Sequence, residues 1–147
     1  MQTIAQQTVR TAPHALNRSK AALWTGRLLS GLAIAFLLFD AIGKLLRLQV
    51  VIAGSAELGY PASTILPIGL TLLACVIVCA IPASSLVGAV LLTGYLGGAI
   101  ATHVRVGNPL FSHTLFPIYI AAIVWGGLFL RDPRVRRLLP GASARER

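Results

Sequence analysis

The stretch Leu86–Thr102 reads LVGAVLLTGYLGGAIAT and holds no charged residue. A helix needs about 20 residues, each rising about 1.5 Å, to cross a bilayer core. With the flanking Ser84–Ser85 and His103, this stretch reaches that length. It therefore sets the reading of the whole chain: a helix built for lipid, not a soluble core element.

Composition agrees. Of the 147 residues, 56% are hydrophobic and only 12% are charged. A soluble domain of this size carries roughly 25% charged residues on its surface. The net charge of +9 would suggest nucleic acid in a soluble protein. Here the basic residues cluster at the chain ends beside apolar segments, where they set topology and contact anionic lipid. No nucleic-acid partner is expected.

Working outward, three more spans emerge, at about 24–46, 65–81 and 114–131, with the central one at 84–103. The first is the weakest by hydropathy, because it reaches full length only if Asp40 and Lys44 lie within the helix or at its edge. Pro67 and Pro117 fall in first turns, where proline is tolerated. The link Pro82-Ala83-Ser84-Ser85 is so short that the third helix must return antiparallel beside the second. Ser84 or Ser85 is the expected N-cap. Gly59-Tyr60-Pro61 marks a turn, and Val50-Val51-Ile52 is expected as a short interfacial helix or extended piece. Residues 1–23 read as a disordered basic tail and 132–147 as a second basic tail. The fold expected is all-α: a four-helix antiparallel transmembrane bundle. Ten of the 13 Lys and Arg residues sit in the tails or at the adjoining helix end. Positive residues favour the cytoplasmic side, so both termini are expected there, in a bacterial inner membrane.

The third span carries Gly94, Gly97 and Gly98, with Gly94 and Gly98 in a G-x-x-x-G pair. Small residues let helices approach closely in lipid. The expected use is packing inside the chain's own bundle, with homodimerisation as the alternative. Cys75 and Cys79 lie mid-span on one face of the second helix and read as small packing residues. Soft-metal binding or thiol redox is the alternative, and no metal site is expected.

The topology gathers ionisable residues at one end. Asp40 lies roughly 24 Å along the first helix from Trp24, and His103 roughly 28 Å along the third from Ser84. Asp40 and Lys44 are spaced to pair on one helix face. Ionisable residues at membrane depth are candidates for function, weighed against a bridge that only neutralises the helix end. The candidate pocket is Asp40, Lys44, Thr102, His103 and Arg105. His103 is expected to face Asp40, and Arg105 to meet Glu57.

LLFDAIGKLLRL (Leu37–Leu48), the run Leu58–Pro61, LLTGYLGGAIATHVRVGNPLF (Leu91–Phe111) and WGGLFLRDPRVR (Trp125–Arg136) resemble the DoxX-like family of small bacterial membrane proteins. The resemblance covers roughly residues 26–140 and implies a four-helix membrane bundle. It also implies links to quinol-dependent thiosulfate oxidation, thiol or oxidative stress, or membrane-protein assembly. It supplies no catalytic residues.

Two functions follow. One is a non-enzymatic binding or accessory subunit, with the bilayer, a membrane-protein partner or a second copy as partners. The other is a quinone- or thiol-linked redox subunit using the polar cluster, with quinone as its cofactor. Transport is weaker, since four spans show no obvious inverted repeat.

Overall fold

The computed structural model describes residues 12–137. Four helices in it are long and apolar enough to cross a membrane, and among the described residues no strand occurs. The chain is an all-α, multi-pass membrane protein.

Helix α1 spans Ala12–Leu45, α2 Gln49–Glu57, α3 Ile65–Ala80, α4 Ser85–Arg105, α5 Phe116–Arg131 and α6 Pro133–Arg137. A 3₁₀ turn, Ala62–Thr64, leads into α3, and a π-helical turn, Leu110–Thr114, leads into α5. Residues 12–23 belong to α1, although a disordered tail was expected there. Once a span nucleates a helix, each further residue adds a hydrogen bond at little cost. Pro13 falls in the first turn and does not stop it. The tail expected at residues 1–11 lies outside the described residues.

Helix α1 packs on α3 and α5, and α4 packs on the same two, so α1 and α4 occupy opposite corners. The core contains Leu37, Leu72, Val76, Leu92, Val124 and Leu128, all nearly free of solvent. Leu28, Phe39, Leu70, Ile77 and Val87 point outward, as suits lipid. Cys75 and Cys79 are free thiols inside the core, in keeping with packing.

The glycines that bring the helices together are not the expected ones. A Cβ on Gly94, Gly97 or Gly98 would meet nothing within 4 Å, so this stripe joins no other helix of the chain. Helix α4 turns Ser85, Gly88, Ala89 and Leu92 inward instead. A Cβ on Gly88 would land on the backbone of Cys79, and one on Gly69 would lie 2.8 Å from Lys44 Cβ. Gly26 and Gly127 meet where α1 crosses α5: a Cβ on Gly26 would lie 2.8 Å from the Gly127 carbonyl oxygen.

Ser84 occupies the N-cap position of α4, yet its hydroxyl caps nothing there. It donates to the Val78 carbonyl at 2.8 Å, and Ser85 donates to Pro82 at 3.1 Å. The Ser84 hydroxyl thus ties the link to an open last-turn carbonyl of α3, and the Ser85 hydroxyl closes a turn within the link itself.

At the same end, Asp132 accepts the Arg134 backbone N–H at 2.9 Å and pairs with its guanidinium at 3.0 Å. Arg134 in turn donates to the Pro82 and Ala83 carbonyls at 2.7 and 3.3 Å, fastening the α3–α4 link to the end of α5. The bonded Arg134 guanidinium holds the Asp132 carboxyl below the usual carboxylate range. A depressed pKa stabilises the fold above the unfolded value of about 4 and stops doing so as pH falls through the folded value. Thermal unfolding of Asp132→Asn in detergent should therefore show less pH dependence between about pH 5 and pH 3 than the parent. Equal slopes would show that the pair does not couple to folding.

Three helix ends at the opposite face close the same way. The second residue after the helix turns left-handed, and the next N–H reaches back five residues. Gly59 (φ 79°) and Gly107 (φ 72°) do this without strain, placing Tyr60 and Asn108. Arg47 does it with φ 51°, a conformation unfavourable for a residue with a Cβ. Arg47→Gly should stabilise the protein by about 1 kcal/mol, read as a raised Tm in detergent. A lowered Tm would mean that the Arg47 side chain makes a contact worth more than the strain.

Candidate functional site

Because α1 and α4 sit at opposite corners, the bundle does not close fully at the end away from the termini. A cavity of about 490 Å³ opens there. That is within the usual range of roughly 300–1,000 Å³ for small-molecule sites. Its walls are mainly apolar, with Leu37, Ile68, Leu96 and Ile120 among them. Phe36 and Phe116 meet edge to face at 5.7 Å between α1 and α5. Gly94 and Gly98 also line the cavity, and both are exposed on the bundle surface. The missing side chains thus leave the cavity open sideways at membrane depth.

The polar groups lie toward one end. Asp40 and Lys44, one helical turn apart on α1, are ion-paired and half-buried. Helix α2 and the Gly59 turn fold over this end and bring Tyr60 against α4. Thr102 donates to the Gly98 carbonyl at 3.0 Å, which uses its only proton. Tyr60, 2.7 Å from the Thr102 hydroxyl, is therefore the donor of that pair. Tyr95 lines the wall, and its hydroxyl bonds to no described residue. His103 lies at the rim, with its Nδ1 2.8 Å from the Asn108 side-chain amide and its ring edge-on to His113 at 5.8 Å.

Of the five residues expected to form a pocket, Asp40, Lys44, Thr102 and His103 line this cavity and Arg105 does not. Two expected pairings differ. His103 bonds to Asn108, not Asp40, because the left-handed Gly107 folds the following loop back onto it. Arg105 donates to the Leu58 carbonyl at 2.7 Å, not to Glu57, which is exposed. The last turn of α2 presents its open carbonyls to Arg105, and these compete well with a solvated carboxylate. Arg105 thereby holds α2 over the cavity.

Tyr60 and Tyr95 were not singled out from sequence as site residues. Tyr95 falls one helical turn from Leu91 and Ala99, with no polar neighbour to flag it. Tyr60 looked like a turn residue only, and its reach across 42 positions depends on how α2 folds. Among the described residues, no three His, Cys, Asp or Glu side chains are grouped so as to hold a metal ion.

This arrangement can take a small amphipathic molecule. An apolar body would lie against the aromatic and aliphatic walls. A polar head would meet Lys44, Tyr95 and His103.

Residues 28–127 match the model of the DoxX-like family. No curated protein and no solved structure matches the chain.

Proposed function

The chain belongs to the DoxX-like family, and from that premise we propose that it is a non-enzymatic membrane subunit that binds a small amphipathic ligand. The observation carrying this reading is the laterally open cavity of about 490 Å³, apolar along its walls and polar at one end. Its opening at Gly94 and Gly98 lets a ligand enter from the bilayer without crossing water. Asp40 neutralises Lys44 through their ion pair. A ligand carbonyl or phosphate can then accept from the ammonium without Lys44 ever being left unpaired in lipid.

The positive-inside bias supports an orientation with both termini in the cytoplasm and the cavity toward the outer leaflet of a bacterial inner membrane. Reporter fusions at Gly54 and at the C-terminus test this, with Gly54 outside and the C-terminus inside. An external C-terminus would overturn the orientation.

A quinone-linked role is the second reading. It is favoured by the Tyr95 hydroxyl, which has no partner among the described residues, and by the Lys44 ammonium in the same cavity; both can donate to a quinone carbonyl. A thiol-linked role has less support, since Cys75 and Cys79 are core residues outside this cavity. Titration of the purified protein with a short-chain ubiquinone separates the two readings. Saturable binding that Lys44→Ala and Tyr95→Phe abolish supports quinone. No saturable binding to the parent removes the quinone reading and leaves the general ligand site standing.

A further inference from the structure

At the end carrying the termini, a second and separate cleft of about 290 Å³ lies among Leu23, Arg27, the α3–α4 link and the turn from α5 into α6. Three guanidinium groups line it: Arg27, Arg131 and Arg134. Asp132 is the one acidic residue among the lining groups, and it is already committed to Arg134. Arg134 also donates to both link carbonyls.

The other two cations differ. The Arg131 side chain bonds to no described residue. Its Nε is buried beside a small core void that Arg131 shares with Ser30, so it is the outer part of the guanidinium that is offered to the cleft. A charged group without an acceptor among the described residues favours an anion there. Arg27 makes no ion pair among the described residues and stacks 5.5 Å from the Trp24 ring. The fold forces these two together. Gly26 sits so close to α5 that its Cβ would lie 2.9 Å from the Arg131 backbone nitrogen. The next residue, Arg27, is thereby carried to the same cleft.

We propose that this cleft is a binding site for a phosphate group, held by Arg27 and Arg131, with Arg134 fixed as its third wall. Arginine is suited to this role, since its planar fork matches phosphate oxygens in pairs. The position agrees: this end of the bundle meets the leaflet whose anionic lipids attract basic residues. The phosphate can come from a phospholipid headgroup or from solution, and both present the same oxygens. The site is independent of the cavity at the other end.

The test uses the full chain purified in mild detergent and phosphate-free buffer. Mixed micelles containing phosphatidylglycerol or phosphatidylcholine form one set of probes, and inorganic phosphate forms another. Arg27→Gln and Arg131→Gln are compared with Lys20→Gln, which removes an exposed charge on the same helix outside the cleft. Arg27→Gln and Arg131→Gln should each weaken binding about fivefold, as expected for one basic contact at an anionic surface. Lys20→Gln should stay within about twofold. Saturable phosphatidylglycerol binding that inorganic phosphate does not displace assigns the site to a headgroup. Displacement by inorganic phosphate assigns it to a soluble phosphate. If Arg131→Gln fails to fold, exposed Arg27 carries the test alone. Equal losses in Lys20→Gln and Arg27→Gln would mean diffuse attraction and overturn the site. So would wild type and Arg27→Gln binding every probe alike.

Discussion

Gly88→Val should prevent the bundle from assembling, whereas Gly94→Val should leave it folded. A Cβ at Gly88 would fall on the backbone of Cys79, and backbone cannot move aside as a flexible side chain can. The helices α3 and α4 would have to separate along their length, exposing Leu72, Val76 and Leu92. Overpacking of a side chain costs about 1–3 kcal/mol, and a backbone clash at a helix crossing costs more. A loss of about 3 kcal/mol is a large share of the stability of most proteins. Gly94, by contrast, has open space around it. Size-exclusion chromatography and circular dichroism in detergent read both variants. If Gly94→Val aggregates and Gly88→Val folds, the roles assigned to the glycines of α4 are reversed.

Gly98→Phe should fold and lose the ligand. Gly98 borders the cavity, and a Cβ there meets nothing within 4 Å. A benzyl group can swing into the opening without disturbing the core, while Ile100, facing elsewhere on α4 and outside the cavity lining, serves as a control through Ile100→Phe. A filled site forfeits most of the ligand's contact area, so ligand affinity should fall by a factor of about 100 or more, equivalent to about 3 kcal/mol. The melting temperature without ligand should change little. Full occupancy in Gly98→Phe would show that the cavity is not where the ligand sits.

The four spans could be read from the sequence, because lipid demands long uncharged segments and the turns between them are written in Gly, Pro and Ser. The Asp40–Lys44 pair was equally legible, since one helical turn separates the two residues whatever the rest does. The glycines show the limit of such reading. G-x-x-x-G at Gly94 and Gly98 says that a close approach is allowed on that face, not that the face turns inward. A usable signal lay elsewhere. Gly88 and Cys79 are equally distant from the centre of the tight link, and such residues meet in an antiparallel hairpin. The roof of the cavity was harder to foresee. It depends on α2, a short helix with no buried residue, and on left-handed turns at Gly59 and Gly107 that fix Tyr60 and Asn108. Once those turns are in place, Tyr60 finds Thr102, and Asn108 takes the ring nitrogen of His103 that was expected to face Asp40.

The most direct measurement is native mass spectrometry of the full chain released from its membrane in mild detergent, compared with Gly98→Phe. The cavity account predicts one small amphipathic molecule bound to the wild-type chain and absent from the variant, with phosphatidylglycerol adducts unchanged between them. Wild-type protein that carries no such molecule, or a variant that carries it equally, would contradict the account.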